Sequence, residues 1–493
     1  CIVLASRSRN PQTATVKFRA LPEGLRTVKF SALAQINLTD ADWLDCPTES
    51  RAPFLPGAAG AWATYPALAN LFNYNGSGVM PGRTWIIAPD RESLEQRWQV
   101  LINAPVDKKE ELFHPHGAGD RTVTKVLKDS LPGQPHRAVS IAKDSGQIVT
   151  PVGYACRSFD RQWIIPDKRL INRPNPNLWE IHSQSQLYLT ALSRTSPSSG
   201  CALTLTHLIP DLDHYNGRGG RVFPLWADAE ATIPNLKPAL LDFLSQTYGH
   251  PVSPTAAFAY IAAVAANPAY TERFQDDLTT PGLRIPLSAD PALFQAAVEL
   301  GQRVVWLQTF GERMADPAQD RPPGAPRLPR EQRPLIPKDG TIPSDPEQMP
   351  DTIDYDPATR RLLVGDGYIE NVPAAVWQYE VSGKQTLVHW FSYRKKERDR
   401  PIIGNRRPPS ALNQLYPDHW LDEYTTELIN LLNVLGLLVQ LEPQQAELLA
   451  QICEGETLAV QTLNEANALA KNTLKSPKKS DPSKPSLPGL ENF

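Results

Sequence analysis

Residues 154–167 read Tyr154-Ala155-Cys156-Arg157-Ser158-Phe159-Asp160-Arg161-Gln162-Trp163-Ile164-Ile165-Pro166-Asp167, and the chain continues Lys168-Arg169-Leu170-Ile171-Asn172-Arg173-Pro174. The stretch lies in a span from about 146 to 230 that is rich in β-formers and turn residues, which predicts a β-rich domain. Arg157, Arg161, Lys168, Arg169 and Arg173 fall within 17 residues and outweigh Asp160 and Asp167. Among and after them come Phe159, Trp163, Asn172, Asn175, Asn177, Trp179, Gln184 and Gln186. Arginine suits guanine O6/N7 and phosphate, and asparagine and glutamine suit adenine N6/N7. A basic, amide-rich, turn-rich segment is what a base-reading surface requires. Arg161 and Asp160 fit a buried ion pair near Trp163 equally well.

Two further basic features flank this stretch. Gly217-Arg218-Gly219-Gly220-Arg221 has the composition of a phosphate cradle, in which glycines let backbone N–H groups approach an anion, and equally of a tight loop beside a strand. Arg394-Lys395-Lys396-Glu397-Arg398-Asp399-Arg400 with Arg406-Arg407 carries seven positive and two negative charges. It reads either as a solvated face or as an edge that grips phosphates and positions DNA without reading it.

Further out, the pattern changes to helices. Asp90 to Leu101 predicts a helix with Leu94, Trp98 and Leu101 on one face and Ser93, Glu95, Arg97 and Gln99 keeping it polar. Ser253-Pro254 and Asp290-Pro291 are good starts for two amphipathic helices, the first stopped by Asn267-Pro268. A long helix is predicted near Leu421–Leu441. Gly76-Ser77-Gly78 reads as a turn. Between Asp316 and Pro350 ten of 35 residues are proline, an extended connector with no core of its own. Arg361–Val364 and Tyr368–Glu370 flank Gly365-Asp366-Gly367, a hairpin signal, and Val376–Val381 reads as another strand. Thr13–Phe18 alternates as a strand after the apolar Cys1–Ala5, and the chain beyond about Asn467 is predicted to be disordered.

Composition bounds what such a chain does. It has 493 residues and a net charge of -3, with 48 prolines. The length suggests two to four domains. No apolar stretch approaches the roughly 18 to 20 residues of a membrane span. The near-neutral balance excludes a uniformly basic binder, so any DNA-binding surface must come from local clusters. The five cysteines are scattered without a C-x-x-C pair, against a disulfide framework or structural zinc site. The first residues lack a basic n-region and a small-residue cleavage pattern, so no secretory signal and a cytoplasmic setting are expected. Catalytic signatures are lacking: no P-loop, H-E-x-x-H, G-x-S-x-G or kinase set. His114-Pro115-His116 lacks a Cys or acidic partner nearby and reads as a loop rather than a metal site.

The 154–167 string closely resembles the Y-x-x-R-S-F-D-R-Q-W-x-x-P-D signature of type ISP restriction–modification enzymes. Gly78–Trp85, Gly219–Trp226, Asn267–Phe274, Pro281–Leu287 and Tyr379–Lys384 resemble blocks of that family in the same order. The resemblance implies the C-terminal specificity portion of a polypeptide that also carries nuclease, ATP-driven translocase and adenine-N6 methyltransferase parts. Its expected partners are double-stranded DNA and those upstream domains. S-adenosylmethionine, ATP and Mg would belong to the upstream domains, with no cofactor in this chain. The sequence departs from the whole enzyme in having no Asn/Asp-Pro-Pro-aromatic motif to stack on a flipped adenine. Pro322-Pro323-Gly324 and Pro408-Pro409-Ser410 lack the aromatic. On this resemblance the opening strands are expected to be the last strands of a methyltransferase sheet.

The expected architecture is therefore α+β: a β-rich target-recognition domain with helical segments, a smaller β-hairpin and helical C-terminal domain, and the N-terminal remnant. Expected boundaries are 1–25 for the remnant, 26–145 for an α/β connecting region and 146–315 for target recognition. The Pro-rich connector would occupy 316–350, the C-terminal domain 351–466 and the disordered tail 467–493. Candidate DNA contacts are Arg157, Arg161, Lys168, Arg169, Asn172, Arg173, Asn175, Gln184, Gln186, Arg218, Arg221, Arg394, Lys395, Lys396, Arg406 and Arg407; no catalytic or metal residue is expected. A subunit of a split adenine-N6 methyltransferase, completed by a separate catalytic polypeptide, is the alternative. A scaffold for protein contacts, with the Pro-rich connector as docking segment, is the blander one.

Overall fold

A computed structural model describes residues 15–22, 24–48, 60–114, 121–193, 195–215, 220–398 and 408–470. The signature stretch folds as a hairpin. Val152–Arg157 and Asp160–Ile164 pair antiparallel through a two-residue turn at Ser158-Phe159, with a bulge between Ala155 and Arg157. Phe159 supplies the positive φ (63°) that this turn needs. Ile87–Ala88 extends the sheet beyond Asp160–Ile164, and Ile209–Pro210 adds in parallel beside Val152–Arg157. Trp85, Leu94, Trp98, Tyr154, Ile164 and Ile165 pack into the core beneath it.

The second four-stranded sheet is wholly antiparallel, in the order Gly76–Ser77, Arg221–Pro224, Tyr188–Ala191, Leu203–Thr206. Gly76–Ser77 is thus an edge strand, where the sequence reads as a turn. Pairing to Arg221 and Val222 extends it, and no local pattern of two residues announces partners 144 and 146 residues away. Every residue of Tyr188–Ala191 and Leu203–Thr206 is buried, because helices cover the sheet. Leu205 N–H donates to Gln308 Oε1 (2.8 Å) and Ala202 N–H to the Ala265 carbonyl (3.2 Å), tying this edge strand and the residue before it to two helices.

Those helices are Pro254–Ala265 and Pro291–Gln308, capped as their sequences predict by the Ser253 and Asp290 side chains with proline at N1. Nine residues of the first are buried, more than one amphipathic stripe, so it runs through the core rather than along its surface. Gly301 permits the close crossing: a Cβ there would lie 1.8 Å from the Ala259 carbonyl oxygen. The long helix runs Asp422–Glu454, beyond its predicted end, through Pro443. By length and composition it could cross a membrane, yet 67% of its most apolar window is buried inside the protein, with Asn433 and Gln445 hydrogen-bonded there. It is a core helix.

Arg91–Asn103 forms the expected helix with Asp90 as cap. Its polar assignment needs correction at two positions: Ser93 and Arg97 are buried with Leu94, Trp98 and Leu101. Arg97 donates to the Trp85 and Ile87 carbonyls (3.0 and 2.8 Å). The Pro-rich segment runs through four short 3-10 turns. It lies along the long helix, with Leu328 buried against Gly436 and its N–H bonded to Asn433 Oδ1 (2.9 Å).

Ile353–Asp356, Arg361–Val364 and Gly367–Ile369 form a meander containing the predicted hairpin. Val376–Val381 is not one strand: after Pro373, Ala374–Trp377 is a helical turn, and only Glu380–Val381 pairs, with Lys384–Gln385. Ser382 and Gly383 (φ 48° and 75°) make the two-residue hairpin turn. At the other end, Val16–Phe18 pairs with Leu44–Cys46 as a two-stranded unit, and the Arg26–Ala34 helix buries none of its residues. The apolar run expected at Cys1–Ala5 lies outside the described residues, as does the tail from 471.

A candidate nucleic-acid interface

The basic stretch divides into an interior network and a surface edge. In the interior, Asp211 accepts from Arg157 Nη1 (3.0 Å) and from the Tyr154 hydroxyl (2.7 Å). Burial pushes the Asp211 carboxyl up, and Arg157 and Tyr154 oppose that. Asp160 accepts from Gln162 Nε2 (2.6 Å) and Arg394 Nη2 (2.8 Å). Arg169 is held by Asp167 (2.6 Å) and Asp144 (2.8 Å). Burial raises the Asp144 carboxyl, but the Gly146 N–H, Arg169 and Arg137 outweigh it and hold the group below its ordinary value. Gln186 donates to the Ile181 and Trp226 carbonyls and accepts from two backbone N–H groups.

Four candidate contacts are therefore corrected. Arg169, Gln186 and Arg394 are buried, and Arg157 is mostly so in its pair with Asp211. Each is held by protein groups, because an unpaired charge or amide in the interior is costly; Arg394 is held through Nη1 and Nη2, while its Nε is buried without a hydrogen-bond partner among the described residues. The ion pair anticipated between Asp160 and Arg161 does not form. Asp160 pairs with Arg394, and Arg161 donates from Nη2 to both Glu427 carboxylate oxygens (2.8 and 2.9 Å), its guanidinium lying over the Phe310 ring (3.9 Å). Lys168 is paired with Asp129 (2.6 Å) and Lys395 with Asp351 (3.0 Å), while exposed Lys396 donates to the Glu347 carbonyl (3.0 Å). Arg218, Arg406 and Arg407 lie outside the described residues.

The remaining candidates converge on one edge. Residues 76–82 run across both sheets: Val79 bridges Asp211, and Met80 exchanges backbone hydrogen bonds with Arg173 (2.9 Å each). Gly78 makes this crossing possible, since a Cβ there would sit 2.3 Å from the Asp211 carbonyl oxygen. Asn172 N–H donates to the Pro81 carbonyl (3.0 Å), and Asn175 Nδ2 donates to the Ser77 carbonyl (2.6 Å) from a left-handed backbone (φ 46°). Arg221, paired in register with Ser77, donates from Nε to Asn75 Oδ1 (2.9 Å). Arg173 is exposed with no side-chain partner among the described residues. Segments 75–82, 172–175 and the start of the Arg221–Pro224 strand thus form one polar edge with Arg173 facing water.

Asn75 and Ser77 belong to this edge and are absent from the sequence candidates. Asn75 orders Arg221 across 146 residues, a separation that spacing cannot reveal. Gln184 is exposed too, but in the loop before Tyr188, at the far end of the same sheet. Among the described residues no three His, Cys, Asp or Glu side chains are grouped to hold a metal. Cys156 is buried and its thiol is pushed well up by that burial, which leaves it inert.

A family model described as the Type ISP C-terminal specificity domain matches residues 70–431. Three solved structures are similar in fold. The cryoEM DrdV–DNA complex is 17% identical with a TM-score of 0.55, covering 89% of this chain and 43% of that one. A nuclease-deletion mutant of the Type ISP restriction–modification enzyme LlaGI, in complex with a DNA substrate mimic, is 15% identical with a TM-score of 0.50 (83% and 30%). The ATP-dependent Type ISP enzyme LlaBIII bound to DNA is 14% identical with a TM-score of 0.56 (85% and 26%). The chain spans less than half the length of each. No curated protein matches it.

Proposed function

The chain belongs to the Type ISP C-terminal specificity domain family, and from that premise we propose that it is the DNA target-recognition module of a Type ISP restriction–modification enzyme. In this reading it selects a short duplex sequence and presents it to catalytic domains that methylate adenine at N6 and cleave. S-adenosylmethionine, ATP and Mg would be bound by those domains. The observation that carries the reading is the polar edge itself. Asn172, Asn175 and Arg221 are fixed by backbone or side-chain bonds beside the exposed Arg173. A side-chain amide and a guanidinium group held in this way, at Asn175 and Arg221, suit base edges, and an arginine beside them with no side-chain partner among the described residues suits a phosphate.

The test is direct titration of duplex oligonucleotides at increasing salt. A recognition module loses affinity steeply, by about 0.9 in log K per log salt for each phosphate engaged. Absence of duplex binding even at low salt would shift the reading to a protein-contact scaffold.

A further inference from the structure

On the polar edge, the Arg221 guanidinium makes three hydrogen bonds among the described residues, and all go to Asn75. Nε and Nη2 donate to Asn75 Oδ1 (2.9 and 2.6 Å), and Nη2 also donates to the Asn75 carbonyl (3.0 Å). One side of the guanidinium is thus clamped, and Nη1, on the other side, has no partner among the described residues. Phe223, on the same face of the strand, is buried, while Arg221 at the strand's start is half-exposed.

The clamp is itself anchored. Buried Asn235 accepts from the Tyr74 N–H (2.9 Å) and donates to the Tyr74 and Pro224 carbonyls (2.8 and 2.7 Å). Pro224 ends the strand that Arg221 begins, so one buried amide ties the residue before Asn75 to that strand. Gly76–Ser77, directly after Asn75, pairs with Val222 and Arg221 in the same sheet. Asn75 is therefore fixed relative to Arg221 from both sides.

Two features decide what this arrangement suits. The acceptors are neutral, and no carboxylate pairs with Arg221 among the described residues, so its charge is not cancelled as that of Arg157 is by Asp211. The orientation is also set before any ligand arrives, which spares the cost of ordering a long side chain. A phosphate accepts donors from many directions and gains little from such fixing. A base edge is directional. The free Nη1 offers two N–H donors and no acceptor. In the major groove guanine alone presents two adjacent acceptors, O6 and N7, whereas adenine and cytosine present an amino donor there.

We propose that Arg221 reads a guanine in the major groove and that Asn75 is the positioning residue that aims it. The assignment rests on the DNA-recognition reading and deepens it by giving one base to one side chain.

The test uses the intact chain and the duplex it enriches most from a random-sequence library. Replacing one selected guanine by 7-deazaguanine, which lacks N7, is expected to weaken binding about tenfold, while inosine, which keeps N7 and O6, is tolerated there. Arg221→Ala is expected to abolish the 7-deazaguanine penalty and the preference at that position. Asn75→Ala is expected to lose about threefold to tenfold in discrimination at the same position, the cost of ordering a free arginine. Asn75→Asp keeps the acceptor, so it should retain the preference while binding every sequence more weakly, because its carboxylate cancels the Arg221 charge. A purely structural pair would lower melting temperature and overall affinity without changing base preference, and that result overturns the assignment. A native chain indifferent to 7-deazaguanine at every selected guanine overturns it too, whether or not the variants fold. If sequence preference survives Arg221→Ala intact, the assignment fails and the DNA reading stands. If the native chain enriches no sequence, both fail.

Discussion

Arg394 reaches across 234 residues of sequence to Asp160, with Nη2 2.8 Å from Oδ1, and the side chains are 1% and 2% exposed. The pair sits against Trp390, whose ring lies 3.9 Å from the guanidinium. It joins the signature hairpin to the C-terminal part of the chain. Such a pair specifies an arrangement more than it adds net stability, but losing one partner strands the other charge in the interior.

Replacing Arg394 with Met should therefore destabilise the protein by about 3–5 kcal/mol. Adding Asp160→Asn to that variant should recover part of the loss. Urea unfolding of the single and double variants checks this; unchanged stability with weakened DNA binding would mean that Arg394 acts at a surface.

Acidification should weaken the fold well above the carboxylate range. His182 is held at about 4 and His207 and His214 at about 3, chiefly by burial, against an ordinary value of 6.5. A lowered histidine binds fewer protons folded than unfolded between those limits. Its stabilising contribution is complete above 6.5 and is lost as pH falls toward the folded value. Melting temperature should drop between pH 7 and pH 5. His214→Gln, which removes one of these groups, should flatten that drop, and an unchanged pH profile would argue against the burial of His214.

Gly301→Ala should be strongly destabilising, although alanine favours helices. Its Cβ would meet the Ala259 carbonyl oxygen at 1.8 Å, so the two central helices must separate. A cost of about 1–3 kcal/mol or more is expected by calorimetry. A stabilised variant would contradict the crossing.

Arg173→Ala should leave stability within about 0.5 kcal/mol, since the side chain is exposed and has no partner among the described residues. Duplex affinity should fall for all sequences alike, with the salt slope reduced by about one. Loss of discrimination at a single base pair would instead make Arg173 a base reader.

The parts legible from sequence were those with local causes. Ser253-Pro254 and Asp290-Pro291 announce their helices through capping chemistry, and both caps form. The Gly365–Gly367 hairpin was legible for the same reason. Misreadings arose where partners are distant. Gly76–Ser77 is a strand only because Arg221 and Val222 complete it. Arg97, Arg169 and Arg394 look like surface cations in sequence, and carbonyls or carboxylates draw them inside. Composition located the basic, amide-rich region but could not separate its buried members from Arg173, because both kinds of arginine occur at the same local spacing.

The central claim is tested most directly by selecting bound duplexes from a random-sequence library with the intact chain, at low and at physiological salt. Enrichment of one short sequence that survives the higher salt is the expected result. Binding that enriches no sequence, and vanishes uniformly as salt rises, would contradict target recognition by this chain.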